Sequence, residues 1–448
     1  MEISGKKISI IGAVRSGTGA AKLVKKLGGK PFVSDSGDAK KLEKQIKALK
    51  ENEIEFETGH HSEKIFDCDL MIVSPGVPSD SKVIVTAKEK NIKVIGEVEL
   101  ASAFCKGNII AITGTNGKTT TTSLCGHLLK SCGAKAYVVG NIGEAFSEIA
   151  SDVKDNEFVA LEVSSFQLDM IDEFKPKVAA ILNITPDHLN RYENRFENYI
   201  YSKFRIFKNQ DDSDYVILNK DDKTIDKYIS PHESQDFYFS LNESQQNGCF
   251  RLNEKVVYNK NGQTEFECEV SDISIPGEHN LANAMAAVSA MKIFNFDNDK
   301  IIEGLKSFKG VEHRLEFVRE LDGVRYINDS KATNVDSVWY ALRSFDEPIF
   351  LILGGQDKGN NYNQIKELVL QKVKKIYAIG SSADKVFNFF HHDVKVEMEK
   401  SLQDAVSSAS KEARQGEVVL LSPACASFDQ FEDYQQRGRV FKDSVNKL

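Results

Sequence analysis

A glycine-rich segment that ends in lysine and threonine carries the strongest chemical signal in the sequence. The run GTNGKT, residues 114–119, follows the apolar run NIIAI and opens a stretch with helical spacing. Glycines let backbone N–H groups approach phosphates, lysine balances their charge, and a threonine hydroxyl can ligate Mg²⁺. Ile112 stands where the usual G-x-x-x-x-G-K-[ST] pattern has its first glycine. The strand-to-helix setting still favours a nucleotide-phosphate site over an exposed turn.

Three further residues are candidates because of the runs that precede or surround them. Glu162 ends the apolar run FVALE, where an ionised carboxylate is costly unless it has a cation or ligand. A Mg²⁺ ligand and a structural ion pair are both consistent with that position. His188 follows another apolar run. Taken alone, a histidine in such a place is more often a hydrogen-bonded loop residue than a metal ligand. Lys203, in YSKFRIF, would by itself be interpreted as a surface lysine.

A second glycine loop lies near the N-terminus. Residues 12–19, GAVRSGTG, follow an apolar run, and Asp35 ends the next run. The loop is similar to a dinucleotide fingerprint but does not fit G-x-G-x-x-G. Two interpretations stay open, a phosphate or ribose site and a tight structural turn. The histidine pairs at 60–61 and 391–392 lie in polar stretches and are predicted to be solvated.

Three series of short apolar runs must position these residues. KKISIIGA, KPFVSDSG, DLMIVSPG and IKVIG form the first, and a second begins near Asn108. VRYIND, PIFLILGG, KKIYAIGS and EVVLLSPA form the third, from about Val311. Helix-like stretches separate the runs, which predicts βαβ units and parallel sheets with ligands at the strand ends. We predict domains at residues 1–97, 98–310 and 311–448.

Residues 236–275 break this rhythm. The runs DFYFSLN, CFRLNEKVVY and TEFECEVSDISI alternate apolar and polar residues, and Asn261-Gly262 between two of them predicts a hairpin turn. A small antiparallel patch is therefore expected. The following segment, EHNLANAMAAVSAMKIF, has helical spacing that predicts a buried face made of Leu281, Met285, Val288 and Met291.

The amino-acid composition excludes several classes of function. The 448 residues are enough for about three domains, and 41% hydrophobic residues can form cores. The net charge is -8, and residues of both signs are interspersed along the chain without a basic block. This pattern argues against nucleic acid and anionic lipid as partners. Apolar runs are too short to cross a membrane, and the N-terminus lacks a signal-peptide pattern, so a cytoplasmic location is expected. Seven cysteines without a C-x-x-C pair favour free thiols, and no zinc pattern occurs.

Seven motifs occur in one order: TGTNGKTTT, LEVSSFQLD, NITPDHLNRY, GEHNLANAMAA, HRLE, INDSKATN and LSPACASFDQFEDYQQRG. Together they resemble the Mur ligase family over essentially the whole chain. GTNGKT and GEHN-x-x-N are shared with folylpolyglutamate synthetase, whereas INDSKATN and SPACASFDQF resemble the D-glutamate-adding branch. The resemblance implies three α/β domains: a Rossmann-like N-terminal domain, a P-loop-type central parallel sheet with a small antiparallel patch, and a Rossmann-like C-terminal domain.

The resemblance also implies a reaction. ATP would phosphorylate the terminal carboxylate of UDP-N-acetylmuramoyl-L-alanine, and the amine of D-glutamate would attack the acyl phosphate, releasing ADP and phosphate in peptidoglycan precursor synthesis. Two Mg²⁺ sites and a carbamoylated Lys203 are implied as well. Charge must be cancelled where the γ-phosphate meets a carboxylate. The first domain is expected to bind the UDP moiety, the second ATP and the third D-glutamate, in a monomer with no membrane span and no nucleic-acid partner.

Site residues follow position by position from the resemblance. The implied catalytic residues are Lys118, Glu162, His188 and Lys203. The implied Mg²⁺ ligands are Thr119, Glu162, His188 and carbamoylated Lys203. The implied ATP contacts are Gly114, Thr115, Asn116, Gly117, Lys118, Thr119, Thr120, Asn280, Asn283, His313, Arg314 and Asp329. The implied UDP-substrate contacts are Arg15, Ser16, Asp35, Ser36, Ser74, Gly76, Asn141 and Gln167. The implied D-glutamate contacts are Lys331, Thr333, Lys358, Ser427, Phe428 and Tyr434.

Three other functions fit the sequence less well. A folylpolyglutamate synthetase would not explain a separate nucleotide-binding region in the first ninety residues. A nicotinamide dehydrogenase would leave the phosphate loop and Glu162 unexplained. A non-catalytic binding protein is disfavoured because every matched catalytic position holds the expected residue type.

Overall fold

Three β-sheets flanked by helices form the framework of the protein. The computed structural model describes residues 1–357 and 359–448. By their internal contacts, these residues form two units, Met1–Ser274 with Asn280–Phe308 and Ile275–His279 with Lys309–Leu448. The first unit holds two of the sheets and the second holds the third. The predicted three-domain α/β class is confirmed.

The first sheet is parallel throughout, in the order β3-β2-β1-β4-β5. Its strands are β1 (Lys7–Ile11), β2 (Lys30–Asp35), β3 (Glu55–Thr58), β4 (Leu70–Val73) and β5 (Val94–Gly96). Its helices are α1 (Arg15–Lys26), α2 (Glu43–Glu51), α3 (Lys82–Glu89) and α4 (Glu97–Ser102). The four predicted runs became β1, β2, β4 and β5. Strand β3, EFET, was missed because its side chains are exposed or only half-buried and it lacks an apolar run.

The second sheet has nine strands in the order β14-β13-β12-β11-β10-β9-β6-β8-β7. Its strands are β6 (Asn108–Thr113), β7 (Ala136–Gly140), β8 (Phe158–Glu162), β9 (Val178–Ile181), β10 (Tyr215–Asn219), β11 (Gln235–Ser240), β12 (Gly248–Leu252), β13 (Lys255–Lys260) and β14 (Gln263–Glu269). The helices of this part of the chain are α5 (Lys118–Ser131), α6 (Ser165–Leu168), α7 (Phe196–Phe204), α8 (Lys223–Tyr228), α9 (Glu278–Ile293) and α10 (Asn298–Ser307). The central strands β6, β8 and β9 end where the candidate residues begin.

The antiparallel patch is smaller than predicted and belongs to this same sheet. Strands β12, β13 and β14 pair antiparallel, with Asn261 and Gly262 at positive φ in the predicted turn. Strand β11 was predicted as part of the patch, but it pairs parallel with β10 and with β12. Alternating polarity did not reveal this, because a strand with one half-exposed face alternates in either pairing direction.

Helix α9 is the most apolar of the long helices. Its predicted face of Leu281, Met285, Val288 and Met291 is buried, and most of its other side chains are buried too. A helix that is apolar on several sides must lie inside the domain core. It carries Asn280 and Asn283 near its beginning, which fixes both amides on a rigid element.

The third sheet has the order β15-β16-β20-β17-β18-β19 and is parallel except for the β15–β16 pair. Its strands are β15 (Glu316–Leu321), β16 (Val324–Asn328), β17 (Ile349–Gly354), β18 (Val373–Ile379), β19 (Lys395–Met398) and β20 (Val418–Leu421). Its helices are α11 (Val335–Arg343), α12 (Asn363–Lys372), α13 (Ala383–Phe390), α14 (Leu402–Glu412) and α15 (Tyr434–Asn446). The unpredicted β15 and β19 are edge strands with mostly exposed or half-buried residues.

All seven cysteines have free thiols, as predicted. Over residues 1–357 and 359–448, every helix is too short or too polar to cross a bilayer.

Candidate active site

The phosphate loop needs its glycines for conformation and for space. It connects β6 to α5, and Gly114 and Gly117 adopt φ of 154° and 82°. A Cβ atom on Gly117 would overlap the Oδ1 atom of Asn283, so only glycine fits beside that amide. Gly117 directly precedes α5, and the beginning of a helix is where backbone N–H groups and the helix dipole favour an anion.

The segment after β9 fixes the shape of this loop. The Asn183 side chain accepts from the Asn116 N–H at 2.8 Å and donates to the Asn116 carbonyl at 3.1 Å. The Thr115 hydroxyl donates to the Thr185 carbonyl and accepts from the Thr185 N–H, both at 3.0 Å. Four hydrogen bonds therefore hold the loop in place before any ligand binds. Asn183 was not identified from the sequence, although it directly follows an apolar run.

Two lysines converge on one carbonyl of the loop. The Nζ atom of Lys118 donates to the carbonyls of Gly114 and Thr115, each at 2.8 Å. The Nζ atom of Lys203 donates to the same Gly114 carbonyl at 2.9 Å. The interpretation of Lys203 as a surface lysine is wrong, since its side chain is buried and lies on the Tyr199 ring. Burial, and then the charge of Lys118, lower the pKa of Lys203 well below its usual range, against the opposing charges of Asp187 and Asp169.

Glu162 ends β8 and is buried. Its Oε1 atom accepts a hydrogen bond from the Asn141 side chain at 2.7 Å. Its Oε2 atom is also buried, and no hydrogen-bond partner for it exists among the described residues. A buried carboxyl group with one unsatisfied oxygen suits a divalent cation, because hard cations prefer oxygen ligands. The alternative of a structural ion pair finds no support among the described salt bridges.

His188 lies in the left-handed region at φ 53°, in the segment that follows β9. Its Nε2 atom is 3.6 Å from the Asp187 carboxylate, and its ring meets the Phe166 ring edge-on. The side chain is about one-third exposed, 37%, so a ligand can reach it. Asp187 was not identified from the sequence, yet its charge acts on both His188 and Lys203.

The first sheet carries a cavity of about 600 Å³ at the ends of β1, β2 and β4. Six of the eight predicted UDP-substrate residues line it, and Asn141 and Gln167 do not. The lining residues are Ile11, Gly12, Val14, Arg15, Ser16, Asp35, Ser36, His61, Ser74, Pro75, Gly76 and Val77. The prediction that His61 is solvated like its neighbour is wrong, because it is half-buried in this wall, whereas His60 and the pair at 391–392 are exposed.

The N-terminal glycine loop is both a tight turn and a cavity wall. A Cβ atom on Gly12 would lie 2.8 Å from the Ser74 side chain, and one on Gly17 would overlap the Gly12 carbonyl. The Asp35 carboxylate accepts from the Ala13 N–H at 2.6 Å and from the Gly37 N–H at 2.7 Å. Asp35 therefore fixes the loop and also faces the cavity.

Arginine side chains link the cavity to the second sheet. The guanidinium of Arg15 donates to the carbonyls of Gly140 and Asn141, at 3.2 and 3.0 Å. Arg191, three residues after His188, donates to the Gly76 and Val77 carbonyls, both at 3.3 Å. The cavity rim is thus joined to the segment that carries His188 and to Asn141, whose side chain donates to Glu162. Arg191 was missed, because a single arginine in a polar loop has no distinctive spacing.

Gln167 has a local structural role in addition to its predicted one. It occupies the third position of α6, where it forms a capping box with Ser164. Its Oε1 atom accepts from the Ser164 N–H and hydroxyl, each at 2.9 Å. The amide nitrogen is the remaining group that a substrate could use.

The predicted nucleotide residues of the C-terminal unit include a buried carboxyl group. Asp329 follows β16 and is almost fully buried. Burial raises its pKa to about 6, although the charge of Arg314 and a hydrogen bond from Ser422 act in the other direction. His313 is buried beside it, and its Nδ1 atom lies 2.9 Å from the Asn328 amide. Burial lowers the pKa of His313, so the neutral ring is favoured.

The predicted amino-acid site lies on two loops joined by a buried arginine. Arg437 donates to the carbonyls of Ser330, Cys425 and Ala426. These loops carry Thr333 and the buried Ser427. The ammonium of Lys331 lies 5.3 Å from the centre of the Tyr434 ring, while Phe428 is 68% exposed. Lys358 lies outside the described residues.

Comparison with known proteins follows the same three-part division. The Mur ligase middle domain matches residues 112–291, and the Mur ligase glutamate ligase domain matches residues 313–425. The MurD N-terminal domain matches residues 7–83. A protein of Christiangramia forsetii is 46% identical over 99% of this chain and 100% of its own length. The chain belongs to the Mur ligase family.

Relatives and folds agree with this membership. The Christiangramia forsetii protein and one of Koribacter versatilis, 44% identical over 100% of this chain and 99% of its own length, are both named UDP-N-acetylmuramoylalanine–D-glutamate ligase. A UDP-N-acetylmuramate-alanine ligase structure from Thermotoga maritima aligns with a TM-score of 0.63 at 20% identity, covering 99% of each chain. A MurF ligase of the same organism, in complex with ADP, aligns with a TM-score of 0.61 at 16% identity, covering 93% of this chain and 95% of that one. The family resemblance predicted from the motifs is confirmed, and Mur ligases are ATP-dependent enzymes that use Mg²⁺.

Proposed function

We propose that this chain joins D-glutamate to UDP-N-acetylmuramoyl-L-alanine with ATP, through an acyl phosphate, in peptidoglycan precursor synthesis. The full-length relatives named for this reaction support the substrates. The observation that carries the chemistry is the convergence of Lys118 and Lys203 on the Gly114 carbonyl, in a loop preformed at the start of α5. A loop fixed before binding lowers the cost of orienting a triphosphate.

Each step of the reaction can be assigned to groups of the chain. The backbone N–H groups at the start of α5 and the Lys118 ammonium would hold the β- and γ-phosphates. Thr119 and Glu162 would hold a magnesium ion, and His188 a second one. Magnesium, when bound, supplies positive charge between the γ-phosphate and the substrate carboxylate. The carboxylate oxygen attacks the γ-phosphorus and the bond to ADP breaks. The neutral amine of D-glutamate then attacks the carbonyl carbon, phosphate leaves, and the nitrogen loses a proton to solvent.

Lys203 is proposed to carry a carbamate. The buried, uncharged amine that the low pKa favours is the form that can attack carbon dioxide. A bond forms between Nζ and the carbon, one carbon–oxygen π pair moves to oxygen, and Nζ releases a proton to solvent. The product is a carboxylate on a long arm, which can ligate magnesium, whereas an ammonium group has no lone pair for this role.

The carbamate can be detected apart from activity. Wild-type protein in ¹³C-bicarbonate should show a carbamate carbon resonance that Lys203→Ala lacks and Lys208→Ala, at an exposed neighbour, retains. Lys203→Ala should be nearly inactive, with partial recovery in acetate. A missing resonance in wild-type protein, together with an active Lys203→Ala enzyme, would remove the carbamate from the mechanism.

The remaining assignments belong to the same proposal. The residues of the first-sheet cavity, with Asn141 and Gln167, would bind the UDP-sugar. Asn280, Asn283, His313, Arg314 and Asp329 would contact ATP. Lys331, Thr333, Lys358, Ser427, Phe428 and Tyr434 would bind D-glutamate. Domain limits near residues 97 and 310, a monomeric state and a cytoplasmic location stay predictions.

A phosphate-release assay tests the proposed function. Release should require ATP, Mg²⁺, UDP-N-acetylmuramoyl-L-alanine and D-glutamate together. Matched controls replace D-glutamate by L-glutamate and the sugar-peptide by UDP-N-acetylglucosamine, which keeps the UDP but lacks the reacting carboxylate. Equal release with a folate acceptor and L-glutamate would instead favour the folylpolyglutamate alternative.

A further inference from the structure

Two adjacent histidines of the first sheet have different surroundings. The His60 side chain is 67% exposed, whereas His61 is half-buried in the wall of the cavity that Asp35 and Ser36 also line. The Nδ1 atom of His61 lies 2.7 Å from the Ser34 hydroxyl, at the end of β2. Ser34 is fully buried, so this contact fixes the ring from the protein side. The other ring nitrogen is left to interact with whatever occupies the cavity.

The hydrogen bonds of Ser34 determine which nitrogen of His61 carries the proton. Burial raises the pKa of Glu57, but hydrogen bonds from the Ser34 hydroxyl and from Ser62 outweigh it, so the pKa lies below its usual range. The ionised carboxylate can only accept, and it takes the Ser34 proton across 2.6 Å. Ser34 has one proton, so its oxygen must accept from His61, and Nδ1 is therefore the donor.

A neutral ring protonated on Nδ1 has an unprotonated Nε2. Among residues 1–357 and 359–448, His61 has no recorded hydrogen bond other than that to Ser34. The Asp35 carboxylate, also in the cavity wall, accepts from the N–H groups of Ala13 and Gly37. Nε2 is thus an oriented acceptor, fixed by the chain Glu57–Ser34–His61, in a cavity of nucleotide size.

We propose that His61 selects the uridine end of the substrate, with Nε2 accepting a hydrogen bond from the pyrimidine imide N–H or from a ribose hydroxyl. This inference rests on the proposed function, because it takes the cavity as the UDP site. If the imide is the donor, the contact also excludes cytidine, since cytosine presents a lone pair at that ring position and two acceptors repel. Glu57 and Ser34 are positioning residues that set the tautomer of His61.

Calorimetric titration with UDP, on the full chain, tests the contact. His61→Ala should weaken UDP binding by about tenfold, the usual loss for one neutral hydrogen bond. His60→Ala, at the exposed neighbour, is the matched control and should stay within about twofold of wild type. His61→Gln, whose side-chain oxygen can act as an acceptor on an arm of similar length, should restore part of the affinity. In turnover, KM for the UDP-sugar should rise while kcat and the KM for ATP stay unchanged.

Three UDP analogues identify the donor. N3-methyl-UDP, 2′-deoxy-UDP and 3′-deoxy-UDP each lack one hydrogen that Nε2 could accept. The analogue that lacks the true donor should bind the wild-type protein about tenfold more weakly than UDP does. On His61→Ala, the same analogue and UDP should have equal affinity. Unchanged UDP affinity in His61→Ala, or losses that add for every analogue, would overturn the inference. A wild-type protein that binds no UDP would instead overturn the proposed function.

Discussion

Replacing Arg437 by methionine should loosen the loops that carry the predicted amino-acid site. Arg437 is among the largest fully buried side chains. Its guanidinium donates to the carbonyls of Ser330, Cys425 and Ala426 at 2.7, 3.1 and 3.3 Å, and to the Ser330 hydroxyl at 3.0 Å. Methionine fills much of the same space but has no donor. The carbonyls of Ser330 and Cys425 would be left without a donor, whereas that of Ala426 would keep the Gln356 N–H.

The size of the effect follows from opposing contributions. Each buried acceptor left unsatisfied costs about 1–3 kcal/mol, while removing a buried charge returns part of its desolvation cost. The net loss in unfolding free energy should be about 3–5 kcal/mol, in the range seen when a buried charged network is broken. Arg437→Lys should lose nearly as much, because one ammonium cannot span four acceptors that a planar guanidinium reaches.

Tryptophan fluorescence can measure this loss. The chain has one tryptophan, Trp339 on α11, in the same unit as Arg437, so urea denaturation followed by its emission reports on that unit. Arg439→Met, at an exposed position two residues on, is the matched control and should change stability by less than about 0.5 kcal/mol. If Arg437→Met unfolds at the same urea concentration as Arg439→Met, the guanidinium does not hold the loops together, and this reasoning fails.

Further predictions concern single groups. Lys118→Ala should lower turnover at least about 100-fold, while its circular dichroism spectrum stays that of wild type. Lys130→Ala, on the exposed side of α5, is the control and should leave turnover unchanged. A loss below about tenfold in Lys118→Ala contradicts the phosphate role. Thr333→Val with Ser427→Ala should raise KM for D-glutamate more than KM for ATP, and equal increases would count against these residues. The raised pKa of Asp329, about 6, means that its protonated form stabilises the folded state at low pH and that this stability is lost as pH rises through 6. The loss should be on the order of 3 kcal/mol between about pH 4 and pH 7 in urea denaturation, and Asp329→Asn should remove most of that slope; an unchanged slope would refute it.

Most of the sheet framework could be predicted because buried parallel strands are continuous apolar runs. The strands β17 and β20, FLIL and VVLL at their centres, are buried on both faces and were identified directly. The edge strands β3, β15 and β19 were missed, since an edge strand with half-exposed residues has no such run. The pairing direction of β11 was wrong because its partners lie outside any local pattern.

The candidate site was predictable where chemistry requires a fixed residue order, as in GTNGKT. It was less predictable where a residue depends on distant partners. Lys203 looks like a surface lysine in its own helix, and only the folded chain buries it against Gly114, 89 positions away. His61 and Arg437 show the same limit, because their hydrogen-bond partners Ser34 and Ser330 lie on other elements. Local sequence reports composition and periodicity, whereas these contacts depend on tertiary packing.

An oxygen-transfer experiment tests the acyl-phosphate ligase reaction most directly. UDP-N-acetylmuramoyl-L-alanine labelled with ¹⁸O in its terminal carboxylate would be incubated with ATP, Mg²⁺, D-glutamate and the full chain, and the inorganic phosphate analysed by mass spectrometry. The carboxylate oxygen that attacks the γ-phosphorus leaves with phosphate when the amine displaces it, so each phosphate should carry one ¹⁸O atom. Unlabelled phosphate released together with the D-glutamyl product would contradict activation of the carboxylate by phosphorylation.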